Sequence, residues 1–242
     1  MAFFRDFQKM LYKFGEEPDP AVFQNISIYA DTIDAIRDAA TSYQNYYVLP
    51  DERPDQVSYK LYGTADFHWT FYLMNPTLRE CGWPLADRTI FEKAQKLYPE
   101  TILTTRTKLT DKFKVGQTIT GVTSGVTAKI TQRFLDIGQL QIKDASGSFT
   151  VGETIRSTNT DGTIEEIVLT SEALKYNSAH HYENADKEYV DIDPEVGPGA
   201  SLTEVTWLDR LVKANDDLRQ IRVIRNNIID DVVRSFRDAV RI

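Results

Sequence analysis

Apolar residues recur at helical spacing near the start of the chain. Charged residues separate them, and Gly15 and Pro18 follow. This pattern predicts an amphipathic N-terminal helix, about four turns long, over residues 1–20. The apolar residues of its predicted face are Phe3, Phe4, Phe7, Met10, Leu11 and Phe14. We expect that face to pack on the core of the chain itself or in the groove of a partner protein; a membrane surface is a third alternative, which the lack of a basic bias disfavours.

Three further elements are predicted near the C-terminus, within residues 201–242. The first is a helix with Ser201 as its N-cap, and its apolar residues are Leu202, Val205, Leu208, Leu211 and Val212. Residues 219–225 alternate between apolar and polar, which predicts a strand. Asn226 or Asn227 then caps a last helix, whose apolar face is Ile229, Val232, Val233, Phe236 and Val240.

Weaker signals fill the first half of the chain. Residues 21–29 alternate loosely and contain β-branched residues, which indicates a strand. Asp31 is a candidate N-cap for a helix that runs to about Ser42. Residues 90–98 predict another helix, which ends before Pro99.

Residues 101–172 contain an internal repeat. The segment FKVGQTI at residues 113–119 recurs as FTVGETI at residues 149–155. Gly116 and Gly152 stand at the same place in the two copies, where each permits a tight turn. The stretch is rich in Thr, Gly, Ile and Val, and turn signals occur at short intervals. We therefore expect an inserted β module, either a small barrel or a small sandwich.

Residues 173–200 predict an acidic linker between the β module and the C-terminal part. Prolines and glycines interrupt this stretch, as is typical of irregular structure. Its carboxylates are Glu183, Asp186, Glu188, Asp191, Asp193 and Glu195.

Composition narrows the classes of function. The 242 residues carry a net charge of −8, which disfavours nucleic-acid binding because such binding depends on basic residues. The single cysteine, Cys81, excludes a disulfide within the chain and a zinc site made of its own thiolates alone. No stretch approaches the ~20 apolar residues of a membrane span, and no signal peptide is evident, so we expect synthesis in the cytoplasm.

Residues 46–85 carry the most specific pattern. Val48 ends a short β-type run, and the sequence DQV at residues 55–57 leads into a helical segment that ends at Gly63. A second apolar segment begins at Trp69 and ends at Asn75. This order and spacing resemble the LysM module, a strand–helix–helix–strand unit, which implies an α+β fold for residues 21–100.

The extended pattern is similar to that of one LysM-bearing family, the baseplate wedge proteins of T-even-like contractile-tailed phages. The sequences RPD at 53–55, KLYG at 60–63, HW at 68–69, MN at 74–75 and WPL at 83–85 carry the resemblance. Residues 219–236 resemble the ending of the same family. Together the resemblance covers roughly residues 20–100 and 203–242, and it includes neither the β module nor the acidic linker.

The resemblance implies a structural role in the virion rather than catalysis. Members of the family clamp neighbouring wedges around the central hub and are present in several copies around the tail axis. Their partners are the central helical-bundle subunits of their own and neighbouring wedges and the sheath-initiating protein, with no nucleic acid, membrane or cofactor. We expect assembly in the host cytoplasm. The candidate partner-binding residues are Phe3, Phe7, Leu11, Tyr62, Trp69, Trp83, Ile229, Val233 and Phe236.

One departure from the module bears on an alternative function. A glycan-binding LysM module uses loop backbone beside an open groove, and Pro54 stands where such modules usually have glycine. We therefore expect the unit to serve for packing between proteins. The alternative is an accessory protein that binds peptidoglycan through this unit, and a cell-wall-cleaving enzyme is a further one.

The sequence contains few residues in patterns that suggest catalysis. His68 lies in an apolar segment, which is typical of a packing histidine. His180, His181 and Glu183 include competent metal ligands, but adjacent histidines point in different directions on most backbones. No phosphate-binding loop, nucleophile elbow or spaced carboxylate pair is evident. We expect neither a catalytic site nor a metal site.

Overall fold

The computed structural model describes residues 8–13, 15, 19–24, 43–159 and 161–241, and no side chain beyond residue 238. The chain divides into two compact units, Met1–Ala86 with Ala214–Ile242, and Asp87–Lys213. We call these the discontinuous unit and the inserted unit. Helices and strands occur in both, so the protein is of the α+β class, as predicted.

Strands outnumber helices in the described residues. The strands are β1 (Lys9–Tyr12), β2 (Ala21–Gln24), β3 (Tyr43–Tyr47), β4 (Thr101–Thr105), β5 (Thr118–Gly121), β6 (Thr127–Phe134), β7 (Gln139–Lys143), β8 (Thr154–Thr158), β9 (Ile164–Leu174), β10 (Ala179–Glu183), β11 (Tyr189–Val190), β12 (Thr203–Thr206) and β13 (Gln220–Ile224). The helices are α1 (Pro54–Tyr62), α2 (Trp69–Met74), α3 (Pro76–Cys81), α4 (Asp87–Leu97), α5 (Trp207–Asp217) and α6 (Ile229–Arg241).

The prediction of an N-terminal helix is wrong for the part of residues 1–20 that the structure describes. Residues 9–12 form β1, which pairs antiparallel with β2 so that Met10 faces Phe23 and Leu11 faces Val22. The helical spacing spans residues on both sides of this strand, and it carries no information about a pairing partner further along the chain. Phe3, Phe7 and the predicted helix at residues 31–42 lie outside the described residues.

The discontinuous unit is built around a two-stranded antiparallel sheet, β3 paired with β13. Helices α1 and α2 follow β3 in the chain. Pro54 begins α1, where its missing N–H costs nothing. Gly63 ends the helix with a φ of 72°, a left-handed conformation that glycine adopts without strain. Strand β13 and helix α6, both predicted, complete the unit.

Two clusters of buried side chains hold this unit together. One joins α2 to the C-terminal part of the chain and contains Leu73, Met74, Ile224, Ile229, Val233 and Phe236. The other joins helices α1, α2 and α3 to β13 and to the residue that follows β3, and it contains Val48, Val57, Phe71, Leu78, Ile221 and Val223. The core therefore depends on residues from two segments that are far apart in the sequence.

The inserted unit contains a closed six-stranded barrel in the order β4-β7-β6-β5-β8-β9. Closure depends on β4, which pairs with both β7 and β9. The two repeat copies supply β5 and β8, which are neighbours in the barrel and pair antiparallel with each other. In each copy the glycine N–H donates to the next hairpin strand, Gly116 to Ile130 and Gly152 to Leu169. The repeat therefore encodes one turn-and-strand unit used twice.

The predicted acidic linker is partly structured. Strand β9 extends to Leu174, and β10 pairs with both β11 and β12 in a small antiparallel sheet. The predicted helix after Ser201 begins later, at Trp207. Thr206 and Asp209 form a reciprocal cap there, since Thr206 N–H donates to the Asp209 carboxylate and Asp209 N–H donates to Thr206 Oγ1. Residues 203–206 are strand β12 instead, because they pair with β10.

The boundaries of the units also differ from the predicted segments. Helix α4 belongs to the inserted unit, although the LysM-like segment was expected to reach residue 100. Residues 214–242 belong to the discontinuous unit, so the expected C-terminal segment is divided between the two.

Candidate functional site

The aromatic residues of the LysM-like sequence pattern lie together in the discontinuous unit. The rings of Trp69 and Phe236 are 4.6 Å apart between centroids. The Tyr62 hydroxyl donates a hydrogen bond to the carbonyl of Ile224 at 2.8 Å, and burial raises the pKa of this hydroxyl. These contacts join the pattern at residues 60–69 to the C-terminal strand and helix.

The candidate partner-binding residues on α6 face the core of their own chain. Ile229, Val233 and Phe236 are only 2–3% exposed and pack against Leu73 and Met74. Their apolar spacing, which predicted contact with a partner, instead anchors the last helix within the unit. These three side chains are therefore core residues and not partner contacts.

Trp83 closes the loop that precedes α1. Its indole N–H donates to the carbonyl of Glu52 at 2.6 Å, and its ring packs against Phe71. The Glu52 carboxylate accepts hydrogen bonds from Leu49 N–H, Tyr46 and Lys60. Burial pushes the pKa of Glu52 upward, but these hydrogen bonds outweigh it and leave the pKa below its ordinary value. The loop is thus held by contacts within the chain.

Among the candidate residues that the structure describes, Leu11 is the most accessible. It is 69% exposed, and its cross-strand neighbour Val22 is 62% exposed. Apolar side chains on a two-stranded ribbon contribute little to stability when exposed, because a ribbon alone buries little surface. This hairpin is therefore the described element best suited to contact another protein.

The histidine pair lies in a hydrogen-bonded chain on β10 and α5. Arg210 approaches His180 Nε2 at 2.6 Å, the two Nδ1 atoms of His180 and His181 are 2.9 Å apart, and His181 Nε2 is 3.2 Å from Glu183. Since arginine only donates, His180 donates from Nδ1 to His181, which in turn donates to Glu183. Burial, Arg210 and His181 lower the pKa of His180 to about 4. His180 therefore serves as a neutral member of this chain.

Beside these histidines is a buried lysine that no sequence motif distinguishes. Lys175 is 9% exposed, donates to Gln141 Oε1 at 2.8 Å and lies 4.8 Å from the centroid of the Trp207 ring. Tyr98 and Phe134 also face its ammonium group. The ammonium group of Lys175 is therefore stabilised by aromatic faces and by one amide oxygen, and the role of this side chain is in packing.

A cavity of about 190 Å³ lies within the inserted unit, between the barrel and the residues that follow β11. Its lining includes Arg106, Gln139, Tyr182 and Glu204. Gln139 is 2% exposed, and its Oε1 has no hydrogen-bond partner within the described part of the chain. A polar cavity of this size suits ordered water, which commonly satisfies such atoms.

His, Cys, Asp and Glu side chains occur throughout the described residues. No group of three or more His, Cys, Asp or Glu side chains among them is placed to hold a metal ion. In the same part of the chain, no helix has the length and apolar character that crossing a membrane requires.

No protein-family model matches the chain, and no curated protein is significantly similar to it in sequence.

Proposed function

We propose that the protein is a structural subunit of the baseplate wedge in a contractile phage tail. One observation carries the proposal. The two sequence segments that resemble the wedge family are far apart in the chain, yet residues 43–86 and 214–241 form one compact unit. The barrel, which lies outside the resemblance, belongs to the other unit. Residues 87–100 and 203–213 also lie within the resemblance but belong to the inserted unit, so the support comes from the unit that the two segments share and not from its exact boundaries.

The order of elements in the discontinuous unit supports a LysM-like module within it. Strand β3 is followed by helices α1 and α2 and the short helix α3, and β13 then pairs antiparallel with β3. The closing strand is contributed after an insertion of more than a hundred residues. Long insertions at a surface connection are tolerated because loop-closure entropy grows slowly with length.

The contacts of the loop before α1 favour protein packing over glycan binding. The loop before α1 has its Glu52 carbonyl occupied by Trp83, and the Glu52 side chain is engaged by Tyr46 and Lys60. Pro54 also removes one backbone donor at the start of α1. The backbone beside this turn is thus less available to a sugar than in an open groove.

The proposed role is to clamp neighbouring wedges around the hub. The partners proposed are the central helical-bundle subunits and the sheath-initiating protein. Leu11 and Val22, on the exposed hairpin, are the described residues proposed to contact them. The chain would then be present in several copies around the tail axis.

Deletion of the gene from the phage that encodes it tests the proposal. We expect tails without an assembled baseplate in negative-stain micrographs, restored by the wild-type gene. Normal baseplates after deletion, or absence of the chain from purified tails by mass spectrometry, would overturn the proposal. Saturable binding of the purified protein to cell-wall polymer would favour the alternative, peptidoglycan binding.

A matched pair of variants tests the contact surface. L11S/V22S removes two exposed apolar side chains from the hairpin. V115S/V151S removes two valines that are 60% and 62% exposed on the barrel turns. We expect only the hairpin variant to fail to restore baseplates, with both variants keeping the wild-type circular dichroism spectrum. Equal rescue by both would exclude the hairpin as the contact.

A further inference from the structure

One edge of the β3–β13 sheet is closed by a side chain. The backbone N–H and carbonyl of Arg222, on β13, point away from β3. The side chain of Asn75 forms a hydrogen bond with each of these two groups. Asn75 Nδ2 donates to Arg222 O, and Arg222 N–H donates to Asn75 Oδ1, each at 2.8 Å. An asparagine side chain thus replaces the next strand on this side. The outer edge of β13 is closed by the chain itself.

Apart from the Tyr43 carbonyl, which accepts a hydrogen bond from Arg225, the outer edge of β3 is open with respect to the described residues. Val48 N–H donates to Arg219 O, and the register places Tyr46 opposite Ile221 and Asn45 opposite Arg222. In an antiparallel strand, the backbone groups of successive residues point alternately toward and away from the neighbouring strand. Residues 44, 46 and 48 therefore form hydrogen bonds with β13, and the backbone groups of residues 43, 45 and 47 point outward. Asn45 is exposed, and the backbones of Asn45 and Tyr47 have no hydrogen-bond partner within the part of the chain that the structure describes.

The open edge is self-complementary. The outward residues are Tyr43, Asn45 and Tyr47, so antiparallel pairing of two copies about Asn45 places each tyrosine opposite a tyrosine. Cross-strand aromatic pairs stabilise a sheet, and tyrosine is enriched in interfaces. Tyr47 is already 56% exposed. Such a contact is isologous, since both copies use the same surface.

Charges at the two ends of β3 are also complementary. Arg225 donates to the Tyr43 carbonyl and lies at the start of the strand. Asp51, exposed and with a φ of 65°, follows the end of the strand. Antiparallel pairing brings the acidic end of one copy to the basic end of the other. Parallel pairing would bring like charges together.

We propose that two copies of this chain associate through β3, forming a four-stranded sheet in the order β13-β3-β3-β13 across a twofold axis. Exposed strand edges pair readily with other strands, and β3 carries neither a proline nor a charged residue that would oppose pairing. The contact is small, so association should be concentration-dependent. The inference depends on the sheet alone and stands whether or not the protein belongs to a baseplate.

Sedimentation equilibrium of the purified full-length chain, up to about 200 µM, tests the proposal. We expect the mean mass to rise toward twice that of the monomer. N45P removes the outward N–H, which β13 does not use, and edge strands tolerate proline. N45T retains that N–H and is the matched control. We expect N45P to remain monomeric at the highest concentration and N45T to associate.

A cross-link then identifies the register. In a hydrogen-bonded antiparallel pair the Cα atoms are ~5.5 Å apart, which suits a disulfide. In a C81S background, which removes the exposed native cysteine, N45C should form a covalent dimer under mild oxidation. Y59C, at a site 67% exposed on α1, should do so far more slowly. A monomeric wild type, a dimer that survives N45P, or equal cross-linking of the two cysteine variants would overturn the proposal.

Discussion

Asn75 and Arg222, 147 residues apart in sequence, are joined by reciprocal hydrogen bonds between an amide side chain and a backbone peptide. Asn75 Nδ2 also donates to the carbonyl of Phe71, so the same side chain ends helix α2. One residue therefore connects the first half of the chain to its last strand. This makes Asn75 a central polar contact of the discontinuous unit.

We predict that N75A destabilises the protein by about 2–3 kcal/mol, because the change leaves the partly buried N–H and carbonyl of Arg222 without their partner and removes one of two hydrogen bonds to the Phe71 carbonyl. Urea unfolding followed by tryptophan fluorescence measures this, since Trp69 and Trp83 lie in the same unit. N45A is the control: Asn45 lies across the sheet from Arg222 but is exposed, and its loss should cost less than ~0.5 kcal/mol. Equal effects of the two would contradict the assigned role.

The two repeat copies differ at one position with physical consequences. Glu153 is 5% exposed and accepts hydrogen bonds from the N–H groups of Thr123, Ser124 and Thr150 and from the Ser124 hydroxyl. Burial pushes the pKa of Glu153 upward, but these donors outweigh it, so the pKa is lowered. The corresponding residue of the first copy is Gln117, whose side-chain Oε1 and Nε2 are buried without partners in the described part of the chain.

We predict that E153Q costs about 2–3 kcal/mol, since charge-assisted hydrogen bonds become neutral ones and the amide nitrogen that replaces one carboxylate oxygen cannot accept the bonds that this oxygen received. A lowered folded-state pKa means that the stabilisation is present above the ordinary pKa of a glutamate and is lost as the pH falls through the folded-state value. Urea unfolding from pH 6 to pH 3 should therefore show a weaker pH dependence below about pH 4.5 in E153Q than in the wild type. Parallel curves for the two proteins would refute this.

Gln117 should respond in the opposite way. We predict that Q117M leaves stability unchanged or raises it by up to ~1 kcal/mol, because it removes two buried polar atoms that have no hydrogen bonds to described residues. E153M, the matched change in the second copy, should cost at least ~3 kcal/mol, because it leaves several donors unsatisfied. Thermal unfolding of the two variants compares them directly. A loss of similar size in both would show that Gln117 has partners.

Local signals in the sequence were sufficient for some elements and insufficient for others. Gly63 and Pro54 locate the ends of α1, and the repeat locates the equivalent turns of the barrel, because each depends on the conformational preference of a residue near the turn. The choice between barrel and sandwich depended on β4 pairing with two strands distant in sequence. Strand β1, predicted as helical, likewise depends on a partner strand.

In the candidate site, too, local sequence patterns identified residues but not the distant segments that they contact. The pattern containing Trp69 and Asn75 identified residues that the structure brings together, but it did not reveal that β13 would be their partner. Apolar spacing on α6 indicated a buried face without indicating what would cover it, and the chain's own core does so. Trp207 and Lys175 had no motif around them, since their contacts come from separate segments of the chain.

The hydrogen-bonded chain from Arg210 to Glu183 implies a pH dependence in the inserted unit. The pKa of His180 is lowered to about 4, so on acidification the folded state binds this proton at a lower pH than the unfolded state does. Between pH 6.5, the ordinary value, and about pH 4, the unfolded chain holds more protons, and stability falls as the pH falls.

We predict that H180F, which preserves ring packing on Trp207 but cannot be protonated, loses less thermal stability than the wild type between pH 7 and pH 5. Differential scanning calorimetry measures both proteins at the two pH values. N45A changes an exposed residue of the discontinuous unit and removes no titratable group, so it should keep the wild-type pH dependence. If H180F and the wild type lose the same stability, His180 does not carry the titration.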